Sequence, residues 1–135
     1  MSCVLVVDDD ALIRRALSRF LALAGYEVVC ASNGVDALEL AKQRGFDAVL
    51  SDIQMPSMDG VELLRRLSAH VPDVPVVLTS GVYDESTRDR LLSCGAVEFL
   101  PKPVAAEEIV RVVNFAIRRS LDAKAAARLR HQDTA

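Results

Sequence analysis

Tryptophan is absent from the 135 residues, and two tyrosines and four phenylalanines supply every other large aromatic ring. The basic residues therefore lack the interleaved aromatics on which single-stranded nucleic acid stacks, and a net charge of −3 adds no general attraction for a polyanion. Direct nucleic-acid binding is accordingly not favoured. Cysteine is also scarce. Cys3, Cys30 and Cys94 are scattered, odd in number and never spaced as C-x-x-C, so neither a zinc site nor a disulfide framework is indicated. They read as small, mostly buried side chains in a reducing compartment. His70 and His131 stand at a helix end and in the tail, outside any zinc or catalytic spacing. No apolar run reaches the length of a membrane span, and the N-terminus lacks a signal-peptide pattern. A cytoplasmic location without membrane association is expected. Neither an internal repeat nor a low-complexity segment appears.

What is present suits one domain with one core, at 51% hydrophobic and 26% charged residues. Short apolar runs alternate with segments of helical periodicity. The runs are Cys3 to Val7, Tyr26 to Ala31, Asp47 to Ser51, Val76 to Thr79 and Val97 to Leu100. Between them, Leu12, Ile13, Ala16, Leu17, Phe20 and Leu21 form one helical face, Val35, Leu38 and Ala41 a second, and Val61, Leu64 and Leu67 a third. The helix from Asp84 to Cys94 is polar on one side, and the last starts near Ala105 with Ile109, Val112, Val113, Ala116 and Ile117 inward and Leu121 one turn further. Gly25, Gly45 and Gly95 mark helix ends, and Asp10 and Asp59 read as helix caps, with Gly60 permitting the turn. Five strands alternating with five helices imply an α/β fold, a parallel sheet with helices on both faces.

Carboxylates stand where these apolar runs end. Asp8-Asp9-Asp10 follows the first, and Asp52 closes the third, before a loop marked by Pro56 and Gly60. A carboxylate at the end of a buried strand is costly unless something compensates it. The crevice beyond the strand ends is where open α/β sheets bind ligands. Ser80 and Lys102 follow the fourth and fifth strands, so both come to the same crevice. Clustered carboxylates repel one another without a cation, and hard oxygen ligands with room for water suit Mg²⁺. A divalent ion, an ammonium and a hydroxyl together make an anion site, for which phosphoryl is the usual occupant. An aspartate can itself be the nucleophile and form an acyl phosphate.

Val6-Val7-Asp8-Asp9, Asp52-Ile53-Gln54-Met55-Pro56-Ser57-Met58-Asp59-Gly60, Thr79-Ser80-Gly81 and Lys102-Pro103 together resemble the receiver domain of two-component response regulators. The resemblance is of the chemotaxis-regulator type and spans roughly residues 3 to 118. It implies a flavodoxin-like strand order 2-1-3-4-5, a member of this family being a standard illustration of that order. Asp52 then corresponds to the phosphoacceptor. Asp8 and Asp9 correspond to the acidic pair that holds Mg²⁺, Asp9 directly and Asp8 through water, and Gln54 lends its backbone carbonyl. Ser80 matches the switch hydroxyl, Lys102 the phosphoryl contact, Phe99 the switch aromatic, and the Lys102-Pro103 bond is expected to be cis. Gln54 and Val82 occupy the two positions that tune phosphoryl lifetime. The function implied is a phosphorelay module. It accepts phosphoryl from a sensor histidine kinase or phosphotransfer protein and switches the face of helix four, strand five and helix five toward a partner or output domain. It phosphorylates and dephosphorylates its own side chain and is not a turnover enzyme.

Two alternatives compete. A haloacid-dehalogenase-type phosphatase also uses an aspartate nucleophile, but it wants a second Asp two residues later, where this chain has Gln54. A receiver-like binding module without chemistry is opposed by the complete set of Asp8, Asp9, Asp52, Ser80 and Lys102. The expected division is a receiver over 1–118 and, over 119–135, a basic extension of helix five or a linker to an output domain absent from the chain. Arg118, Arg119, Lys124, Arg128 and Arg130 stand against Asp122 and Asp133 there, a local +3 against −6 for the rest. The 18 residues after Ile117 are too few for an output domain, so a single-domain regulator and a piece of a longer protein both stay open. The tail is read either as a frayed end or as a signalling helix that leaves the receiver, to pair with its copy in a homodimer or to lead into an output domain.

Overall fold

A computed structural model describes residues 1–82 and 84–133, with side chains through residue 130. The His131 side chain and the last two residues of the expected 119–135 extension lie outside that description. The chain alternates strictly: β1 (Cys3–Val7), α1 (Ala11–Leu23), β2 (Glu27–Ala31), α2 (Gly34–Gln43), β3 (Ala48–Asp52), α3 (Gly60–His70), β4 (Val76–Ser80), α4 (Glu85–Ser93), β5 (Glu98–Pro101) and α5 (Ala106–Asp133). The strands pair in parallel in the order β2-β1-β3-β4-β5. This is the doubly wound, flavodoxin-like arrangement that the resemblance implied. Among the described residues no helix is long and apolar enough to cross a membrane.

Every residue of β1, β3 and β4 is buried, as expected for central strands covered on both faces. Their side chains alternate between two apolar layers, following the period of two along a strand. Leu5, Val7, Val49, Leu78 and Phe99 pack with Leu63, Leu64, Leu67 and Leu91 on the α2–α3–α4 side. Val4, Val6, Leu50, Val77 and Leu100 pack with Leu17, Leu21, Ile109, Val113 and Ile117 on the α1–α5 side. Asp10, Asn33, Asp59 and Asp84 cap α1, α2, α3 and α4, each accepting a backbone N–H of the first turn. A cap of this kind stabilises its helix by about 1 kcal/mol.

Several side chains sit where periodicity alone did not place them. Leu12 (73% exposed) and Val35 (55%) face solvent because the packed stripe of each helix is narrower than its apolar residues, and Leu121 (52%) because it lies past Ile117, where the packed stripe of the last helix ends. Cys3 is buried as expected, but Cys30 and Cys94 are exposed, so burial does not account for two of the three thiols. Helix α5 runs unbroken for 28 residues, although its buried stripe ends at Ile117. The Ser120 hydroxyl still donates to the Asp73 carbonyl at 3.0 Å. The Lys102-Pro103 bond is cis, as the resemblance implied.

Gly60 has a different role from the turn former expected of it. Its φ is not positive, so the turn alone does not require glycine. A Cβ at this position would run into the Asp52 carbonyl oxygen and approach the Ile53 Cα to 2.8 Å. The start of α3 thus lies against the strand end that carries Asp52, and the Gly60 N–H donates to the Ile53 carbonyl at 2.9 Å. Gly60→Ala should cost about 2 kcal/mol through backbone overpacking. Gly45→Ala, where a Cβ meets nothing within 4 Å, should stay within about 0.5 kcal/mol of the parent. Urea unfolding of the two variants checks the contrast.

Candidate metal and phosphoryl site

Among the described residues the buried polar side chains are Asp8, Ser51, Asp52, Thr79 and Ser80, all at the carboxyl ends of the central strands. Parallel pairing explains the grouping. When β1, β3 and β4 run the same way in register, whatever follows their apolar residues emerges at one edge. Asp52 and Ser80 are the last residues of β3 and β4, held in the sheet where the sequence placed Ser80 just beyond it. The Ile53 N–H donates to the Thr79 carbonyl, and the Lys102 N–H to the Ser80 carbonyl, so the ladder continues to the rim of the cleft.

Asp8, Asp9 and Asp52 each bring a carboxylate oxygen within 4.8 Å of the others. Asp8 and Asp52 are buried and Asp9 is exposed. The Lys102 ammonium reaches between the buried pair, 3.0 Å from Asp8 Oδ2 and 3.3 Å from Asp52 Oδ2. The other oxygen of Asp8 accepts the Asp10 N–H at 2.9 Å, and that of Asp52 the Gln54 N–H at 3.3 Å. Three carboxylates against one ammonium leave an excess of negative charge in a half-enclosed cleft. This donor set, hard oxygens open to water on the Asp9 side, fits Mg²⁺.

Burial pushes the Asp52 carboxyl above its ordinary pKa; Lys102 opposes that shift and the charge of Asp8 adds to it. Burial also disfavours the Lys102 ammonium, yet the hydrogen bond and charge of Asp8, joined by Asp52, outweigh it and its pKa rises. Both directions describe an ammonium held between carboxylates in a poorly solvated place.

The structure brings together Asp8, Asp9, Asp52 and Lys102. Ser80 joins them through Gln54: its hydroxyl donates to Gln54 Oε1 at 2.8 Å and accepts the Val82 N–H at 3.0 Å. Phe99, only 1% exposed, lies on the α2–α3–α4 side of the sheet with Leu91 and Ala96. Asp10 caps α1 and is not one of the three clustered acids. Sequence reasoning missed Arg14, whose guanidinium donates to the Asp8 carbonyl at 2.7 Å and braces the β1–α1 loop. One basic residue on a helix face with several polar neighbours gave no signal. It also missed the contact of the Gln54 side chain with Ser80, having read that residue only as a backbone ligand and a tuner of phosphoryl lifetime.

An open parallel sheet with an acidic, lysine-bridged cleft at its carboxyl edge defines a doubly wound α/β domain whose candidate site lies at the strand ends. The family model for the response regulator receiver domain matches residues 4–114. The response regulator MprA of Mycobacterium sp. (strain KMS) is 39% identical over 117 residues, 87% of this chain and 51% of that protein. The regulatory protein AtoC of Escherichia coli (strain K12) is 38% identical over 115 residues, 85% of this chain and 25% of its own length. Among solved structures, NtrX from Brucella abortus superposes with a TM-score of 0.89 at 30% identity, covering 96% of this chain and 30% of that one. A receiver domain protein from Clostridium thermocellum superposes with a TM-score of 0.83 at 30% identity, covering 88% and 96%. The chain belongs to the response regulator receiver family of two-component systems. It spans about half the length of MprA and a quarter of AtoC.

Because its folded pKa is raised, Asp52 binds a proton more readily in the folded chain than in the unfolded one. Its ionised form therefore detracts from stability, and the loss grows as pH rises through that raised value. Asp52→Asn should unfold at a higher temperature than the parent at neutral pH in EDTA. The gain should vanish at acid pH, below the ordinary carboxylate range, where Asp52 is neutral in both states. Thermal melts at the two pH values test the sign.

Proposed function

We propose that this receiver accepts a phosphoryl group on Asp52 from the phosphohistidine of a sensor kinase or phosphotransfer protein. The observation that carries the reading is Lys102 between Asp8 and Asp52, at the sheet edge where Asp9 opens the cleft to solvent. An Asp52 carboxylate oxygen attacks phosphorus, the phosphorus–nitrogen bond breaks, and the imidazole leaves with its electron pair and takes up a proton. Asp8, Asp9, Asp52 and the Gln54 carbonyl would hold Mg²⁺, which when bound screens charge on the transferring group. Lys102 neutralises a second part of that charge, and Ser80 donates a hydrogen bond to the product. Water hydrolyses the acyl phosphate and restores the Asp52 carboxylate, so the domain phosphorylates and dephosphorylates its own side chain and is a self-modified switch, not a turnover enzyme. Gln54, in place of a second aspartate, weighs against phosphatase chemistry.

Leu12, with its apolar side chain 73% exposed, stands on α1. Nearby, an apolar cavity of about 400 Å³ borders Lys102, lined by Ile13, Leu17, Phe20 and Val104 among others. This surface suits the approach of a donor protein. Output leaves by the α4–β5–α5 face, where the Arg88 guanidinium pairs with Glu98 at 2.9 Å and ties α4 to β5. Ser80 couples the acyl phosphate to that face, together with Phe99 of β5. The location that suits this reading is the cytoplasm, and the partner is an effector or an output domain. The division proposed is a receiver over 1–118 followed by an extension of α5.

A dimer is the specific use for that extension. The beryllofluoride-activated NtrC4 receiver domain, 31% identical and superposing with a TM-score of 0.84, is described as a dimer. Helix formers such as Ala123, Lys124, Ala125, Ala126 and Ala127 continue α5 beyond its packed stripe. A chain stopped after Ser120 should stay monomeric in sedimentation with Mg²⁺ and beryllofluoride, whereas the full chain should dimerise. Monomers throughout would reject the dimer helix.

The phosphoacceptor reading predicts that acetyl phosphate with Mg²⁺ adds one phosphoryl group to the parent chain and none to Asp52→Asn. Asp9→Ala should raise the Mg²⁺ concentration required by at least about tenfold, since it removes a charged ligand. Intact-mass spectrometry reads both, and equal labelling of Asp52→Asn would reject the assignment.

A further inference from the structure

The Ser80 hydroxyl has one proton, and that proton is already committed. It points at Gln54 Oε1 across 2.8 Å, while the Val82 N–H holds the oxygen from the other side at 3.0 Å. Ser80 is fully buried, so the hydroxyl has no water to turn to. Gln54 is exposed, so its carbonyl can return to solvent when released. Its backbone N–H also rests on Asp52 Oδ1 at 3.3 Å. One residue therefore touches the proposed nucleophile through its main chain and the proposed switch hydroxyl through its side chain.

We infer that the Gln54 side-chain amide is the positioning residue for Ser80, holding its hydroxyl away from the phosphoryl position and competing with the phosphoryl oxygens for its proton. This rests on the phosphoacceptor reading of Asp52 and extends it. The aromatic end of the switch, Phe99, is already packed inside against the Leu91 layer. The Ser80–Gln54 bond is the contact that has to break before Ser80 can donate to a phosphoryl oxygen. A charged phosphoryl oxygen is the stronger acceptor, and the displaced amide carbonyl meets water, so the exchange runs forward. The bond to Gln54 nevertheless lowers the fraction of molecules ready to receive the group, and apparent affinity scales with that fraction.

Beryllofluoride with saturating Mg²⁺ tests this, its dissociation constant read by titration of amide NMR shifts. Gln54→Met keeps the length of the side chain and removes the acceptor. It should bind beryllofluoride about fivefold more tightly, the factor that a net hydrogen bond of ~1 kcal/mol makes in an equilibrium constant. Gln54→Asn, one methylene too short to reach Ser80, should tighten binding to a similar extent. In a Ser80→Ala background Gln54→Met should change nothing, because the proton competed for is gone. If both Gln54 variants bind no tighter than the parent, or Gln54→Met tightens binding equally with Ser80→Ala, the positioning role is wrong. If the parent chain binds no beryllofluoride, the phosphoacceptor reading itself fails, which is a separate result.

Discussion

Lys102 lies between Asp8 and Asp52, and the site depends on that contact. Two buried carboxylates at the ends of adjacent strands would repel each other strongly in a place with little water to screen them. One ammonium at 3.0 and 3.3 Å offsets part of that repulsion. It cannot offset all of it, because Asp9 belongs to the same cluster. The unmet charge is what would hold a divalent cation in the cleft. The fold supplies the geometry at no local expense, because parallel strands in register deliver all these groups to a single edge while the apolar layers stay uninterrupted beneath them.

Other features serve to keep that edge in place. The Gly60 main chain lies against Asp52, Arg14 braces the Asp8 carbonyl, and Asp10 both caps α1 and donates its N–H to Asp8. Each of these ties a helix start to a strand end. The cleft is thus built from backbone contacts as much as from the acids that give it its charge, and the acids need few rotamer choices of their own.

Much of this was legible in the sequence because it is carried by local patterns. Continuous runs such as Cys3 to Val7 announce buried parallel strands, and the carboxylates after them stand out against their surroundings. Helix α5 was equally plain up to Ile117, since its apolar stripe keeps a strict period and every member is buried. Where the reading failed, the deciding fact was tertiary. Leu12 and Val35 match the helical period yet lie past the margin of the sheet's footprint. Cys30 sits on β2, an edge strand with only one neighbour, and so misses the burial usual for cysteine. Gly60 was legible as glycine but not for its reason, which is the strand end pressed against it. The partnership of Gln54 and Ser80 joins residues 26 apart in sequence, and no periodicity reports such a pair.

The length of α5 has a rotational consequence. From Ile117 to Asp133 the helix advances about 24 Å, at 1.5 Å and 100° per residue, so its far end keeps a fixed angular phase relative to the receiver. Whatever surface those last turns present is aimed as well as displaced. A deletion of one residue in that span would swing the surface by about a quarter of a turn while shortening it very little. A deletion of seven, close to two whole turns, would bring it back almost to its starting direction. The angle of delivery and the distance of delivery are therefore separately adjustable in this stretch of chain, and only the first is sensitive to single residues.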